Sequence, residues 1–291
     1  MQSFEQYLHY RQLSPKSIET YNRYKNIFFN YLESEGLQAT ELTYTDLLDF
    51  VGYCKQRGLK ESYIMMVLGV VRHYYNYLKY THQTKSNPAS GLYLRGKQKT
   101  LPHDLLTHDQ LEQIYSEFKQ TGLVGKRNRV MLGLMIYQGL TSRELYLLEP
   151  ANINLQEAKI LIPGTRRSKR RTLSLEAHQV IDMQQYIEKT RGLIIEIAGK
   201  QTAKLFTSLG ESDNLRNTID KLMRALRKQF DFVVNAKQLR QSRLGIWIKQ
   251  YDIRKVQYLA GHKYVSSTER YQSTNLGDLQ KELQKHHPSA E

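Results

Sequence analysis

A chain of 291 residues is long enough for one large or two moderate domains, each with its own core, and two is the better expectation. Lysine and arginine outnumber aspartate and glutamate by 43 to 28, a formal charge of +15 that argues against an ordinary metabolic enzyme and for a polyanionic partner, nucleic acid first. The single cysteine, Cys54, excludes an intrachain disulfide, no apolar run is long enough to span a membrane, and the opening MQSFEQYLHYRQ lacks a signal-peptide core, so a cytoplasmic, reducing location is expected.

In chain order, SPKSIETYNRYKNIFFNYLESEG opens with a serine cap and a proline in the first turn. Its residues Ile18, Tyr21, Tyr24, Ile27, Phe28, Tyr31 and Leu32 follow a helical period. A second helix is expected from about Thr45 and a third through KESYIMMVLGVVRHYYNYLKY, with Gly58 as the stop between them. Residues 1–85 therefore read as an all-helical domain, in which Tyr74, Tyr75 and Tyr77 are packing and rim residues. NPASGLYLRGKQKTLPHDLLT has no sustained period and is rich in Pro, Gly and Lys, which predicts an exposed linker over 86–104 whose RGKQK lies along phosphates. The second domain, 105–291, begins with two helices, THDQLEQIYSEF and VMLGLMIYQGL. KILIP and RTLSL then read as short strands joined by the charged loop GTRRSKR, and helical periodicity returns from about Leu175 to the end. The fold class expected is mainly α: a helical N-terminal domain, then a mixed α+β domain with a small antiparallel sheet.

No GxSxG elbow, HExxH, paired CxxC or phosphate-binding GK[ST] loop occurs, so neither a metal nor a nucleotide cofactor is expected. The adjacent His286 and His287 sit in a polar tail and read as solvated. What remains is phosphate-directed. LAGHKYVSSTERYQ, residues 259–272, sets Tyr271 nine positions after His262, with Thr268 one helical turn before the tyrosine. A phenol with a pKa of about 10 attacks phosphorus only where positive groups stabilise the developing charge. Arg240, in KQLRQSR, offers a planar fork for two phosphate oxygens, and His262 donates a further hydrogen bond or shuttles a proton. Attack by Tyr271 releases a 5′ hydroxyl and conserves the phosphodiester energy in a phosphotyrosine, which needs neither ATP nor metal.

KQLR, LAGH and Tyr271, in that order, resemble the C-terminal signature of the tyrosine recombinase, or phage integrase, family: HxxR, then LGH, then a tyrosine nine residues past that histidine. The resemblance covers nearly the whole chain, with residues 1–85 similar to the family's core-binding domain and residues from about 105 similar to its catalytic domain. It implies a site-specific recombinase that cleaves and rejoins DNA through a 3′-phosphotyrosine. The implied partners are double-stranded DNA with inverted-repeat core sites and further copies of the chain, as a dimer to tetramer on DNA, with no membrane.

Lys237 takes the place of the histidine in HxxR. QGLTSRELYLL keeps the Gly-Leu, Glu144 and Leu145 of the family's arginine-bearing helix, but Thr141 stands where that arginine is expected. Arg143 is two residues on, and a helix rotates it by about 200° to the opposite face, so it substitutes only where the helix is unwound. Aligning RTLSL with the strand that follows the family's hairpin puts Arg166 at the lysine position and Lys169 three residues beyond. Arginine is a weak general acid because its pKa exceeds about 12, so Lys169 is the better proton donor if the loop presents it. The resemblance thus implies Tyr271 as nucleophile, Arg240, Lys237 and His262 on the phosphate, and Lys169 or Arg166 at the leaving oxygen. Thr268 orients the histidine or caps the helix of Tyr271, and capping is the expectation. Leu276, Leu279 and Leu283 form a short apolar stripe that packs on its own domain or, as the resemblance implies, docks on a neighbouring protomer. The Thr141 substitution opens a second reading, a recombinase-derived DNA-binding protein without catalysis; a third is a strand-passing topoisomerase of related chemistry.

Overall fold

The computed structural model describes residues 3–94, 105–166, 168–210, 215–233 and 235–272, and the chain divides into two compact units, 1–99 and 100–291. The stretch RGKQK, the tip residue at 167 and the leucine stripe beyond 272 lie outside the described residues.

The first unit is four helices, α1 (Phe4–Tyr10), α2 (Pro15–Glu35), α3 (Tyr44–Gln56) and α4 (Glu61–Tyr80). Local chemistry sets their ends. Ser14 accepts the Ser17 amide ahead of Pro15, and α2 stops on Gly36 at φ 66°, a left-handed turn open to glycine. Thr43 and Asp46 cap α3 reciprocally. The apolar stripes of α2, α3 and α4 then close one core, in which Phe28 and Phe50 meet edge to face at 5.1 Å and Tyr75 is wholly buried. Tyr74 and Tyr77 pack on Phe4 of α1, so all three α4 tyrosines do structural work. The sequence reading missed α1: seven residues are too short for a readable period, and it is held by a Ser3–Gln6 capping box and its buried Phe4, Tyr7 and Leu8.

The expected linker begins too early. Residues 87–92 fold back on α4, where the Arg72 guanidinium donates to the carbonyls of Ala89 (3.2 Å) and Leu92 (3.0 Å), and Asn87 donates to the Arg72 carbonyl. Ala89 and Leu92 are buried in the first unit's core, and Tyr93 lies under the same guanidinium. The Pro-Gly-rich composition marked irregular backbone correctly, but a single arginine on the preceding helix satisfies that backbone and makes it structure.

The second unit comprises α5 (His108–Ser116), α6 (Gly122–Ile136), α7 (Ser142–Leu147), a three-stranded sheet, α8 (Ala177–Gln185), a π turn (Tyr186–Thr190), α9 (Arg191–Ala198), α10 (Arg216–Gln229), α11 (Ala236–Gln250), α12 (Ile253–Ala260) and a helical stretch over 266–272. Helix α6 is the axis of the core, buried from Val130 to Ile136, which explains its near-continuous apolar sequence. Strands β1 (Ile153–Asn154), β2 (Lys159–Ile162) and β3 (Arg171–Ser174) pair antiparallel in that order, with Ile162 opposite Arg171. The expected hairpin is present, and two-residue β1 was too short to read.

Helical structure does not run unbroken from Leu175. It stops at Gly199, φ 60°, and resumes at Arg216. In between, Arg191 donates to the carbonyls of Thr202 and Lys204, and Arg127 to that of Thr207, while Leu205 and Phe206 enter the core. Long-range donors thus replace the helical ladder.

Arg72→Ala would leave the Ala89 and Leu92 carbonyls without their donor, a cost of about 1–3 kcal/mol. Cleavage by chymotrypsin after Leu92 or Tyr93 should rise by about tenfold or more, measured by limited proteolysis at a protease level where local opening is in pre-equilibrium.

Candidate active site

The site begins with a carboxylate. Thr141 has extended backbone (φ −80°, ψ 158°) and is the N-cap of α7: its hydroxyl accepts the Glu144 amide at 3.2 Å, while its own amide and hydroxyl each donate to Glu144 Oε2 at 2.9 Å. The capping box turns Glu144 inward, where it is buried and its Oε1 accepts a 2.6 Å charged hydrogen bond from the equally buried Arg171. Burial by itself raises the Glu144 pKa, but the attraction of Arg171, then of Arg240, outweighs it and holds the group below the usual carboxylate range.

Arg171 also donates through Nε to the carbonyl of Leu259, which fastens the start of β3 to the end of α12. Directly above it is Gly261, the left-handed C-cap of α12 at φ 69°. A Cβ at that position would run into Arg171 Nη1, so both the backbone and the guanidinium demand glycine in LAGH.

Arg240, on α11, is gripped from two sides. It donates to the carbonyl of Gly139, just ahead of α7, and to that of Ala260 at 2.7 Å, with Glu144 Oε2 3.6 Å away. Its Nη2 lies 3.4 Å from His262 Nε2. A guanidinium only donates, so Nε2 is the acceptor and Nδ1 carries the proton, which it donates to Thr268 Oγ1 at 2.9 Å. Burial first, then the charges of Arg240, Arg171 and Arg270, push the histidine down to about 4, so it is neutral at pH 7. Thr268 is wholly buried inside the helical stretch rather than at its start, so it orients the imidazole; the expected capping role is overturned.

The β2–β3 loop closes the site's edge. Ser168 bridges to His262 and the Lys169 amide donates to the Gly261 carbonyl at 2.8 Å, which anchors the loop while the Lys169 side chain stays exposed. The elements surround a cavity of about 720 Å³ whose lining includes Thr141, Arg143, Glu144, Arg166, Arg240 and His262.

Of the six residues singled out in sequence, Arg240, His262 and Arg166 meet at this cavity. Lys169 is at its edge through its backbone. Lys237 is exposed one helical turn before Arg240 and is not part of the lining. Tyr271 is also outside it: 8% exposed, it packs with Leu244, Trp247, Val256 and Ala260, its ring 6.4 Å from that of His262. Burial raises its pKa against the opposing pull of Arg240, Arg270 and a Gln241 hydrogen bond, so the resting group is a neutral phenol.

The condition set for Arg143 is met: α7 starts only at Ser142, Thr141 is an extended cap across which the 200° helical rotation does not apply, and Arg143 lines the cavity. Sequence reading also missed Arg171. The signal was available: alternation in Arg171-Thr-Leu173-Ser puts the arginine in phase with the inward Leu173, and a charge on an inward strand position needs a buried partner.

A half-buried arginine and histidine facing one cavity beside a tyrosine, on a helical scaffold with a three-stranded sheet, define a tyrosine recombinase, an enzyme that cleaves and rejoins DNA strands. The chain belongs to the phage integrase family: the model of that family matches residues 104–276, and that of the phage integrase N-terminal SAM-like domain matches residues 1–82. Over 295 residues the chain is 24% identical to the tyrosine recombinase XerC of Oceanobacillus iheyensis, covering 99% of this chain and 95% of that protein. Among solved structures it is similar in fold to the XerH site-specific recombinase bound to palindromic difH substrate in a post-cleavage complex (TM-score 0.74, 17% identity, 97% of this chain and 84% of the other). It is similar also to a lambda integrase(75-356) dimer bound to a COC′ core site (TM-score 0.65, 15% identity, 92% of each chain).

Glu144→Gln leaves the Arg171 guanidinium buried without a counter-charge and should cost about 3–5 kcal/mol in urea unfolding at pH 7, followed by the fluorescence of the single tryptophan, Trp247. Because the folded-state pKa of Glu144 is lowered, its contribution is full above the ordinary carboxylate pKa and is lost as pH falls through the folded value. Wild type and variant should therefore converge in stability on acidification.

Proposed function

We propose that Tyr271 is the nucleophile of this recombinase and that the cavity beside it receives the scissile phosphate. The observation that carries the reading is the pair Arg240 and His262, both fixed by protein partners and both facing a cavity with few acids to repel an anion. The Tyr271 oxygen bonds to phosphorus and passes its proton to the neutral His262 imidazole, the bond from phosphorus to the 5′ oxygen breaks, and that oxygen takes up a proton from the hairpin and leaves as a hydroxyl. Lys169 is the proton donor, since the Lys169–Gly261 backbone hydrogen bond anchors the loop beside His262; Arg166 adds charge at the rim. Lys237, exposed one turn from Arg240, serves a neighbouring phosphate. The buried phenol reaches phosphorus when the 266–272 stretch turns it out of its packing, and the DNA strand is held as a 3′-phosphotyrosine until the second strand's hydroxyl reverses the step. The reaction needs no cofactor.

The target is duplex DNA with inverted-repeat core sites, bound by dimers that pair into tetramers. The similarity to a lambda integrase dimer on a core site supports assembly on DNA, and the charge of +15 supports phosphate contact over a long footprint. One observation favours a second reading, a DNA-binding protein that has lost catalysis: the Thr141 hydroxyl is occupied in the α7 capping box and offers the phosphate no positive charge.

Genomic fragments recovered with the protein should carry paired inverted repeats, and affinity for them should fall steeply between about 50 and 200 mM salt, since each neutralised phosphate releases counterions. On a nicked suicide substrate built from such a site, wild type should form an adduct that survives denaturant. Tyr271→Phe should bind equally and form none, and Arg240→Ala should slow adduct formation by about 100- to 1000-fold. Tight, site-specific binding without any adduct would instead establish the non-catalytic reading.

A further inference from the structure

Arg143 is a cation without an acid. It stands at the second position of α7, exposed, with its guanidinium 5.2 Å over the Tyr146 ring; among the described residues no carboxylate pairs with it. It contributes to the 720 Å³ cavity and to a smaller neighbouring one that Arg216 and Asp220 also line, where Asp220 lies 4.0 Å from Arg216. Its position is nevertheless fixed. The residue next to it is Glu144, whose carboxylate is held by Thr141 and Arg171, so the backbone at 143 is tied to the buried cluster that also faces Arg240.

The charge of that cluster sets the requirement. Glu144 offsets one of the two guanidiniums beside it, which leaves one net positive charge. Attack by a phenol oxygen on a phosphodiester drives the charge on the two non-bridging oxygens toward about two negative units, and preorganised cations are worth most at that point. Arg240 has few donors left for the oxygens: the carbonyls of Gly139 and Ala260 take one N–H on each terminal nitrogen, and Nη2 also lies 3.4 Å from His262 Nε2. Of the other arginines on the lining, Arg166 rides an exposed hairpin tip, whereas Arg143 is on a capped helix across the cavity.

We infer that Arg143 supplies the second guanidinium to the scissile phosphate, sharing with Arg240 the charge that develops on the non-bridging oxygens. The assignment rests on the reading of Tyr271 as nucleophile. It gives the Thr141 side chain a purely structural task, capping α7 so that Arg143 is presented to the cavity.

The test compares strand cleavage on two nicked suicide substrates, one with an ordinary scissile phosphate and one with a methylphosphonate, in which a methyl group replaces a charged non-bridging oxygen. A cation whose work is to offset that charge becomes dispensable on the second. Arg143→Ala and the near-isosteric Arg143→Gln should each lose about 100- to 1000-fold on phosphate, keep DNA affinity within a few-fold, and come within about tenfold of wild type on methylphosphonate. Cleavage of phosphate at the wild-type rate by these variants, or an equal loss on both substrates, overturns the inference, the latter by showing a merely structural effect. So does a methylphosphonate-rescued loss in Arg166→Ala that Arg143→Ala lacks. Failure of wild type to cleave the phosphate substrate would instead sink the nucleophile assignment itself, and this inference with it.

Discussion

The buried ion pair of Glu144 with Arg171 is the constraint on which the site depends. It joins the cap of α7, the first residue of β3 and, through the Leu259 carbonyl, the end of α12, three segments far apart in sequence. Each charge is taken out of water only because the other is there, so the three segments hold one another in a single geometry. Arg240 is added on top of the pair, clamped by carbonyls from the residues before α7 and at the end of α12 that the pair itself positions.

That arrangement gives the resting site a definite electrostatic state. The carboxylate is satisfied from within, the histidine is kept neutral by burial and by its cationic neighbours, and the tyrosine is a protonated phenol packed away from the cavity. The open face therefore presents positive charge without a committed nucleophile, a state that a polyanion completes. Arg240, which can only donate, sets the tautomer of the neutral histidine, and the Nδ1–H that this leaves donates to the Thr268 hydroxyl, which holds the ring in place.

Sequence reading succeeded where the information is local. Ser14-Pro15 and Gly36 bound α2 by rules that act over four residues, and the strands at KILI and RTLS announce themselves by period. LAGH with Tyr271, and KQLR, carried the family because those residues are close in sequence as well as in space. It failed where a distant donor replaced local structure. Arg72 orders 87–92, and Arg127 and Arg191 order 200–207; none of these is visible in the composition of the segments they hold.

By itself, then, the sequence determined the helical character of its first part and the mixed character of its second, the positive charge, and the motifs KQLR and LAGH with Tyr271 that carry the family. Tertiary structure alone decided that Arg171 is buried against Glu144, that Thr268 orients rather than caps, and that Lys237 lies away from the cavity while Arg143 lies on it. The reason is the same in each case. A side chain's role there is fixed by which partner desolvates it, and that partner comes from another element brought near by folding, at a separation no periodicity encodes.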